Sequence, residues 1–557
     1  MKQLMSKIIQ KSLKELDINL DLNEIQSHLE TPPSADMGDY SFPCFFLASK
    51  LNDSPHRIAL QLREKIKKVP KEISDIQTAG AYLNFFLDKK NQSLNLIQEI
   101  LSQGDNYGKV DLGNNQKVVI EHTSINPNAS PHVGRIRNAL IGDSIVQLYK
   151  FFNFNPEVHY YVNDVSKQIA MLVLADAQKL KFNQMLKKYS EISKKVSKSK
   201  KLEKQVFELL NKFENQDKNV VSNFKKVVST CIKGQKNILS LLGINYDSFD
   251  YESVFIPDSK KILNNLQKTK KLFKDKKNRF VLDLTGTSVQ NKMKSPVLVL
   301  TRNDGTGLYP LRDIAYTKYK LGLSKNNVLV LGEDQKLYFM QISEALKLLN
   351  LPSPISIHYS FILLNEKGKS KKMSTRKGDV VLVEDFLSKA IQKAKREIQK
   401  RKTKGNPEKV AIASVKYGIL KNATNKIINF NLEEALNFEG NTGSYILYTY
   451  ARASSVNKKI KKIKKISKFK ELNSKEEKLI KNLSLFKEIS MKSFETLNPS
   501  LIANYSYELA KSFNEFYEES RIINSENEFF RINLLNSFRQ VLKNSMSLLG
   551  IELIEKM

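Results

Sequence analysis

The hydrophobic pattern changes its period around a polar turn near residue 121. An apolar run at residues 118–120 has the composition of a buried strand, and residues 121–130 are mostly polar. Apolar residues then recur at helical spacing, namely at Val133, Ile136, Leu140, Ile145, Leu148 and Phe152. The pattern therefore predicts a strand, a turn and a helix. The free backbone N–H groups of such a helix N-terminus make a favourable phosphate site.

Apolar runs of strand length alternate with helical stretches throughout residues 106–385. They lie at residues 118–121, 157–162, 297–301, 328–332 and 356–364. This alternation predicts an α/β domain with a doubly wound parallel sheet, which binds ligands at the carboxyl ends of its strands. A lysine-rich helical insertion interrupts the pattern at about 175–275. We interpret it as a solvated insert, and contact with a nucleic acid stays open.

Different patterns flank this domain on both sides. Residues 1–105 combine a helix, a turn, a second helical pattern at 55–68 and a short strand at Tyr82–Leu87, which predicts a small α/β domain. After residue 385 the pattern is almost entirely helical. With 557 residues and 41% apolar side chains, the chain is long enough for three or four domains with real cores.

Composition suggests a polyanionic partner and excludes several classes of protein. The formal net charge is +33, although an AT-rich coding bias would also enrich lysine. Cys44 and Cys231 are the only cysteines, which excludes a cysteine-based zinc site and disfavours a disulfide framework. No apolar run reaches membrane-spanning length, and residues 1–20 resemble an amphipathic helix, not a signal peptide. We therefore expect a soluble, intracellular protein.

A second stretch, residues 367–378, is rich in positive charge. It holds six cations and no acid between Lys367 and Lys377, with glycines at positions 368 and 378. Taken alone, such a loop is usually solvated surface, and a lone His-x-Gly such as residues 132–134 is common. The two stretches lie about 240 residues apart. Together they indicate two segments that hold the phosphates of one ATP.

The pair resembles the HIGH and KMSKS motifs of class I aminoacyl-tRNA synthetases. Longer strings resemble the arginyl-tRNA synthetases in particular: residues 121–127 (EHTSINP), 132–143 (HVGRIRNALIGD), 304–313 (DGTGLYPLRD) and 440–452 (GNTGSYILYTYAR). The resemblance runs from about residue 35 to the last residue and is weakest between about 175 and 275. It implies a Rossmann-like catalytic domain at 106–385, a helical connection at 386–439 and a helical anticodon-binding domain at 440–557.

The resemblance also implies an enzyme, an arginine–tRNA ligase. ATP would activate L-arginine, and the 2′-hydroxyl of the terminal adenosine of tRNA-Arg would receive it, with release of AMP and pyrophosphate. Activation would require bound tRNA, and Mg²⁺ would arrive with ATP, without a protein metal site. We expect a cytoplasmic monomer that contacts no membrane. Two alternatives stay open: a class I synthetase for another amino acid, and a non-catalytic tRNA-binding relative.

The ATP-binding residues follow from the two motifs. The resemblance implies that ATP is held by His132, Gly134, Arg135, Lys372, Met373 and Ser374, of which His132, Arg135 and Lys372 are catalytic. Two positions depart from the family pattern. Arg135 replaces the second histidine of HIGH, and Thr375 replaces the second lysine of KMSKS. The lysine that other members place just before HIGH is here Ala129. We expect Arg135, aided by Arg376 or Lys377, to supply the missing charge.

The family's arginine pocket maps onto five positions, which are Glu121, Asn126, Tyr309, Asp313 and Gln335. A guanidinium is a planar fork of donors that pairs best with a carboxylate. Asp313 with Tyr309 would therefore hold the guanidinium, while Asn126 and Gln335 suit the backbone of the amino acid. Asp313 could instead pair with Arg312 or cap a helix.

The resemblance places tRNA contacts at both ends of the chain. The N-terminal domain would contact the tRNA elbow. In the last domain, Tyr517 and Arg521 could stack on unpaired anticodon bases, and we favour them over Phe513 and Phe516, whose spacing is typical of a core. Met557, the last residue, would lie against the anticodon.

Overall fold

A computed structural model describes residues 1–34, 37–128, 130–366, 369–371, 381–400, 402, 404–460 and 469–557, excluding the side chains of 364–366 and 369–371. The predicted residues Lys372, Met373 and Ser374 therefore lie outside the described residues, as do Thr375, Arg376, Lys377 and Ala129. Among the described helices, none is both long enough and apolar enough to cross a membrane.

The helices are α1 (Lys2–Lys14), α2 (Leu22–His28), α3 (Ala48–Leu51), α4 (Pro55–Lys65), α5 (Lys89–Gln103), α6 (Val133–Phe151), α7 (Lys167–Leu174), α8 (Phe182–Val196), α9 (Lys200–Glu214), α10 (Lys218–Leu241), α11 (Ile256–Gln267), α12 (Tyr309–Leu323), α13 (Lys336–Leu348), α14 (Val383–Lys400), α15 (Pro407–Leu420), α16 (Leu432–Ala435), α17 (Gly443–Asn457), α18 (Ser474–Ser484), α19 (Phe486–Glu495), α20 (Ser500–Glu519) and α21 (Glu528–Ser547). The strands are β1 (Tyr40–Pro43), β2 (Ile73–Ala79), β3 (Tyr82–Leu87), β4 (Lys117–Glu121), β5 (Asn155–Val162), β6 (Ser248–Tyr251), β7 (Leu272–Lys274), β8 (Phe280–Asp283), β9 (Val297–Val299), β10 (Asn327–Gly332), β11 (Ile355–Tyr359), β12 (Ile362–Glu366), β13 (Lys369–Lys371) and β14 (Ile428–Phe430).

One compact unit contains Met1–Gly104 with the described parts of Lys462–Ser484 and Glu519–Ser537. Its N-terminal part is the expected small α/β fold, with an antiparallel sheet of order β1-β3-β2. Helix α4 begins where the sequence predicts, because the Ser54 hydroxyl accepts a hydrogen bond from a first-turn N–H and a proline follows it. Apolar residues of α1, α2 and α4 pack with those of the sheet in one core.

The second unit, which contains Asp105–Lys461, Leu485–Glu518 and Phe538–Met557, is built on the predicted parallel sheet. Five strands lie in the order β11-β10-β4-β5-β6, and all of their pairings are parallel. The central strand β4 is followed by the turn and by α6, as its apolar pattern predicts. The α/β class and the helical C-terminal region are confirmed.

Three strand predictions need correction. Residues 297–301 do not join the parallel sheet, because their strand, β9, pairs antiparallel with β8 in a separate three-stranded sheet. Residues 356–364 form two strands, since the N–H of Ser360 donates to Thr424 O and takes that residue out of the β11 ladder. Strand β6, within the presumed helical insertion, completes the parallel sheet.

Helix α6 lies against the central strands and is held by buried polar side chains. The Asn138 amide accepts from the N–H of Thr123 (2.6 Å) and donates to Val330 O (2.7 Å). Farther along, the Ser144 hydroxyl donates to Leu548 O at 2.7 Å. Because each bond satisfies a group that burial removes from water, the helix has a fixed position against β4 and β10.

A buried lysine joins four segments of this unit. The Nζ of Lys416, on α15, lies 3.1 Å from Oδ2 of Asp143 on α6, 3.0 Å from Leu242 O and 2.6 Å from Gly550 O. A charge that is 1% exposed needs this number of partners, because an unpaired buried ammonium is strongly unfavourable. Lys416 therefore fixes the C-terminal segment against α6.

Candidate active site

A cavity of about 400 Å³ opens at the carboxyl ends of β4, β5 and β10. This is the end of a doubly wound sheet at which ligands bind. The five residues predicted to form the arginine pocket all line it: Glu121, Asn126, Tyr309, Asp313 and Gln335. Arg135 lines it too. The structure thus gathers residues from four separate parts of the sequence around one space.

Helix α12 presents one face to the cavity. Tyr309 is its first residue and is 52% exposed, and Asp313 follows one turn later. The alternative roles of Asp313 are excluded: Arg312 pairs with the buried Glu252, and Asp313 caps no helix. The Tyr338 hydroxyl instead donates to Oδ2 of Asp313. The carboxylate keeps lone pairs for a further donor.

Burial makes the Asp313 carboxylate unusual. Its removal from water, and then the neighbouring Glu121, raise the pKa of Asp313 to about 6, although the hydrogen bond from Tyr338 works against the shift. The ionised form of Asp313 therefore carries a free-energy cost. A cation that entered beside Asp313 would remove that cost.

Glu121 differs from Asp313 because it already has a cationic partner. The buried Nζ of Lys320, on α12, pairs with Oε2 of Glu121, and the same ammonium lies 4.3 Å from the centre of the Tyr316 ring. The other oxygen, Oε1, is 3.5 Å from the Ser124 hydroxyl. Of these two carboxylates, Asp313 has the greater capacity for an additional cation.

Asn126 and Gln335 lie on loops at the cavity wall. The backbone carbonyl of Asn126 accepts from the Gln235 amide at 3.0 Å, which orders the turn after β4. Gln335 ends a short 3₁₀ turn after β10 and is exposed. Both amide side chains line the cavity, where they can contact a bound molecule.

The first motif forms the predicted helix N-terminus. His132 is the N-cap of α6, and Gly134 and Arg135 lie in its first turn. Burial, and then the positive charge of Arg135, lower the pKa of His132 to about 4, so its imidazole is neutral at pH 7. Its Nδ1 is buried without a partner in the described part of the chain. His132 and Gly134 are not among the described lining residues of the cavity.

The described segment that follows the second motif is attached near this helix N-terminus. Beyond the motif, Val133 N–H donates to Val381 O at 3.0 Å, and Val383 N–H donates to Pro131 O at 3.0 Å. The Ser130 hydroxyl reinforces this pairing, because it donates a hydrogen bond of 2.5 Å to Oε2 of Glu384, the residue after Val383. The residues that follow the motif are thus paired with those that precede α6.

Arg137 holds the described segment that precedes the second motif. This fully buried guanidinium, on α6, donates to the carbonyls of Ser360 (2.6 Å), Lys426 (2.7 Å) and Ala423 (2.8 Å). Ser360 immediately precedes the β12–β13 hairpin that leads into the motif, and the other two precede β14, which pairs with β12. Burial lowers the pKa of Arg137 to about 10, so it remains charged.

The residues predicted to contact the anticodon differ in their exposure from the neighbouring phenylalanines. Phe513 and Phe516 are fully buried, as their spacing indicates, whereas Tyr517 is 38% exposed with the Arg452 guanidinium 5.3 Å from its ring centre. Arg521 follows α20 and is exposed, and its Nε donates to a nearby backbone carbonyl. Met557 lies beside Gly405 and is partly exposed.

Sequence reasoning missed several residues of the cavity, and one signal could have found three of them. Starting from Tyr309, the cavity residues of α12 follow at intervals of four, seven, eight and eleven: Asp313, Tyr316, Thr317 and Lys320. Such spacing puts all of them on one helix face. Tyr338 and Tyr161 carry no comparable signal, because their approach to Asp313 depends on how α13 and β5 pack.

Three family models match the chain. The model described as tRNA synthetases class I (R), catalytic domain, covers residues 96–432; the DALR anticodon binding domain covers 446–557; and the Arginyl tRNA synthetase N terminal domain covers 3–87. The fold is also similar to the solved arginyl-tRNA synthetase of Thermus thermophilus, with a TM-score of 0.75 and 22% identity over the full length of both chains. These matches, with the parallel sheet and its cavity, define a class I aminoacyl-tRNA synthetase.

Two curated relatives identify the family within this class. The arginine–tRNA ligase of Methanocaldococcus jannaschii is 35% identical over 563 residues, covering 97% of each protein. That of Clostridium perfringens is 32% identical over 573 residues, covering 99% of each. The chain belongs to the arginyl-tRNA synthetase family.

We predict that Arg137→Lys weakens the attachment of the second motif. A lysine keeps the charge but lacks the planar fork that reaches three carbonyls. The turnover of ATP–pyrophosphate exchange, measured with tRNA present, should fall about tenfold or more, while the KM for arginine changes little. Arg396→Lys, an exposed arginine on α14, is the matched control. An arginine KM that rises as much as the turnover falls would contradict a role confined to the ATP side.

Proposed function

We propose that this chain is an active arginine–tRNA ligase and that its cavity is the arginine site. The observation that carries the proposal is the position of Asp313: a carboxylate with a raised pKa, deep in a cavity of suitable size, without a cationic partner in the described part of the chain. Guanidinium is the amino-acid side chain that such a carboxylate pairs with best. Tyr309 would cover the guanidinium, and Glu121, Asn126 and Gln335 would contact the rest of the amino acid.

ATP would bind at the N-terminus of α6. There the free N–H groups and the neutral imidazole of His132 can donate to phosphate oxygens, and Gly134 offers no side chain to obstruct the nucleotide. Lys372, Met373 and Ser374 would close over the pyrophosphate from the other side. Mg²⁺ would arrive with ATP, bound by its phosphates.

The chemistry requires positioning and positive charge. A carboxylate oxygen of arginine attacks the α-phosphorus while the bond to the pyrophosphate oxygen breaks, so negative charge grows on the phosphate oxygens. His132, Arg135 and Lys372 would stabilise that charge. In the second step the 2′-hydroxyl of the terminal adenosine attacks the arginyl carbonyl, and AMP leaves.

The remaining regions would bind tRNA-Arg. Residues 1–105 would contact the elbow, 106–385 would carry the catalysis, 386–439 would connect, and 440–557 would bind the anticodon through Tyr517, Arg521 and Met557. The exposed ring of Tyr517 and the exposed Arg521 have the stacking and charge that unpaired bases need. We propose a cytoplasmic monomer.

Asp313→Asn tests the arginine site. A neutral amide cannot match the charge of the guanidinium, and a buried charge without its partner costs about 3–5 kcal/mol. Charging of total tRNA with labelled arginine should therefore be lost, while tRNA binding by filter assay stays nearly intact. Asp304→Asn changes an exposed aspartate nine positions earlier and should behave as the parent. A KM for arginine that rises less than about tenfold would remove Asp313 from the pocket.

Arg135→His tests the proposed compensation for Thr375. The substitution restores the usual HIGH residue but removes a cation that should meet phosphate charge mainly in the transition state. Turnover in ATP–pyrophosphate exchange with tRNA present should fall by about a hundredfold or more, with little change in ATP binding.

Two further variants complete that experiment. Arg135→Lys keeps the cation and should retain more activity, and Thr375→Lys added to Arg135→His should recover much of the loss. If Arg135→His is as active as the parent, the charge must come from residues 367–377 instead.

A further inference from the structure

Two buried polar atoms of the cavity wall take no part in the contacts described above. The hydroxyl of Tyr161 and Oδ1 of Asn163 are both shielded from solvent, and neither finds a hydrogen-bond partner among the described residues. Both side chains line the cavity. Because buried polar groups in folded proteins are nearly always hydrogen-bonded, two such exceptions in one cavity call for a ligand that satisfies them.

The backbone places the two side chains on the same side of the sheet. Tyr161 is the penultimate residue of β5, and Asn163 follows that strand by one residue. Alternate residues of a strand point to the same face, so both can face the cavity. The ring of Tyr161 is fixed by stacking on Tyr316, with centroids 4.4 Å apart and an angle of 14° between the planes. Its hydroxyl therefore has a defined position.

The charges around the Tyr161 hydroxyl indicate which ligand it meets. Burial, followed by the negative charges of Glu252 and Asp313, raises its pKa, so the hydroxyl stays neutral at physiological pH. The oxygen keeps its acceptor lone pairs, and the neighbouring carboxylates disfavour an anion such as phosphate. A cationic group with several N–H donors fits this place best.

We propose that Tyr161 and Asn163 form a second set of contacts to the guanidinium, and thereby determine the specificity of the arginine site. This inference rests on the proposed function. A guanidinium carries five N–H donors, more than Asp313 alone can accept, and the two unpaired oxygens would take the remainder. An ammonium carries three donors on a single nitrogen, whereas a guanidinium spreads five over three nitrogens, so acceptors on separate side chains would favour arginine over lysine.

Tyr161→Phe tests the proposal, because it keeps the stacked ring and removes only the hydroxyl. The KM for arginine should rise about ten- to hundredfold, the effect of losing a hydrogen bond to a charged group, while the KM for ATP and the thermal midpoint stay near the parent values. Asn163→Ala should shift the arginine KM in the same direction. Ser6→Ala, which removes another buried unpartnered hydroxyl within α1, is the matched control and should leave the KM unchanged.

A second probe identifies the end of the substrate that is contacted. Agmatine keeps the guanidinium of arginine and lacks its carboxylate. Its inhibition constant should rise in Tyr161→Phe by the same factor as the arginine KM. A loss seen with arginine but not with agmatine would mean that Tyr161 contacts the backbone of the amino acid, which would overturn the proposal.

Two other outcomes would also overturn it. An unchanged arginine KM in both variants would show that the oxygens do not contact the substrate. A KM for ATP and a thermal midpoint that change together with the arginine KM would show a structural role. Calorimetry of arginine binding separates this inference from the proposed function. If the parent protein binds arginine but charges no tRNA, only the proposed function fails, and the variants still test whether Tyr161 and Asn163 contact arginine.

Discussion

The attachment of helix α6 is the constraint on which the site depends. Its first turn faces the proposed phosphates, and three buried side chains behind that turn, Arg137, Asn138 and Asp143, tie it to other segments. None of these contacts is local in sequence. Because a buried guanidinium or carboxylate without its partners is strongly unfavourable, α6, the strands and the loops that Arg137 contacts must assemble together. A close approach adds to this, since a Cβ on Gly142 would lie 2.2 Å from Cγ of His122.

The same arrangement supports the proposal that two motifs far apart in sequence serve one nucleotide. The residues on either side of the second motif are held through Arg137 and through the pairing with residues 131–133. Catalysis by positioning requires this kind of fixed attachment.

The charge distribution of the cavity supports the proposed selectivity for a cationic substrate. The three inner carboxylates differ in their partners: Glu121 pairs with Lys320, Glu252 pairs with Arg312, and Asp313 accepts only a hydroxyl in the described part of the chain. The first two pairs are internally neutral. Asp313 is thus the place where a substrate cation gains most, and its raised pKa expresses the same fact.

Elements with a regular apolar period, and residues in strings that resemble a family, could be predicted from the sequence. Contacts that depend on how distant segments pack could not. Strand β4 and helix α6 were predictable because their apolar spacing is regular, and Asp313 could be proposed because it lies in a recognisable string. Strand β6 was missed because four residues, two of them polar, carry too short a pattern within a lysine-rich region. Lys320 meets Glu121 across 199 residues, and no local pattern reports such a pair.

Proton release on arginine binding tests the central claim, that Asp313 meets the guanidinium, most directly. Without a bound cation the pKa of Asp313 is raised to about 6, so at pH 6 about half of the molecules carry its proton. A bound guanidinium favours the ionised form and lowers that pKa, so binding should release about half a proton at pH 6 and almost none at pH 8. Calorimetry in buffers of different ionisation enthalpy measures this number. Equal release at both pH values, or proton uptake at pH 6, would contradict the assignment.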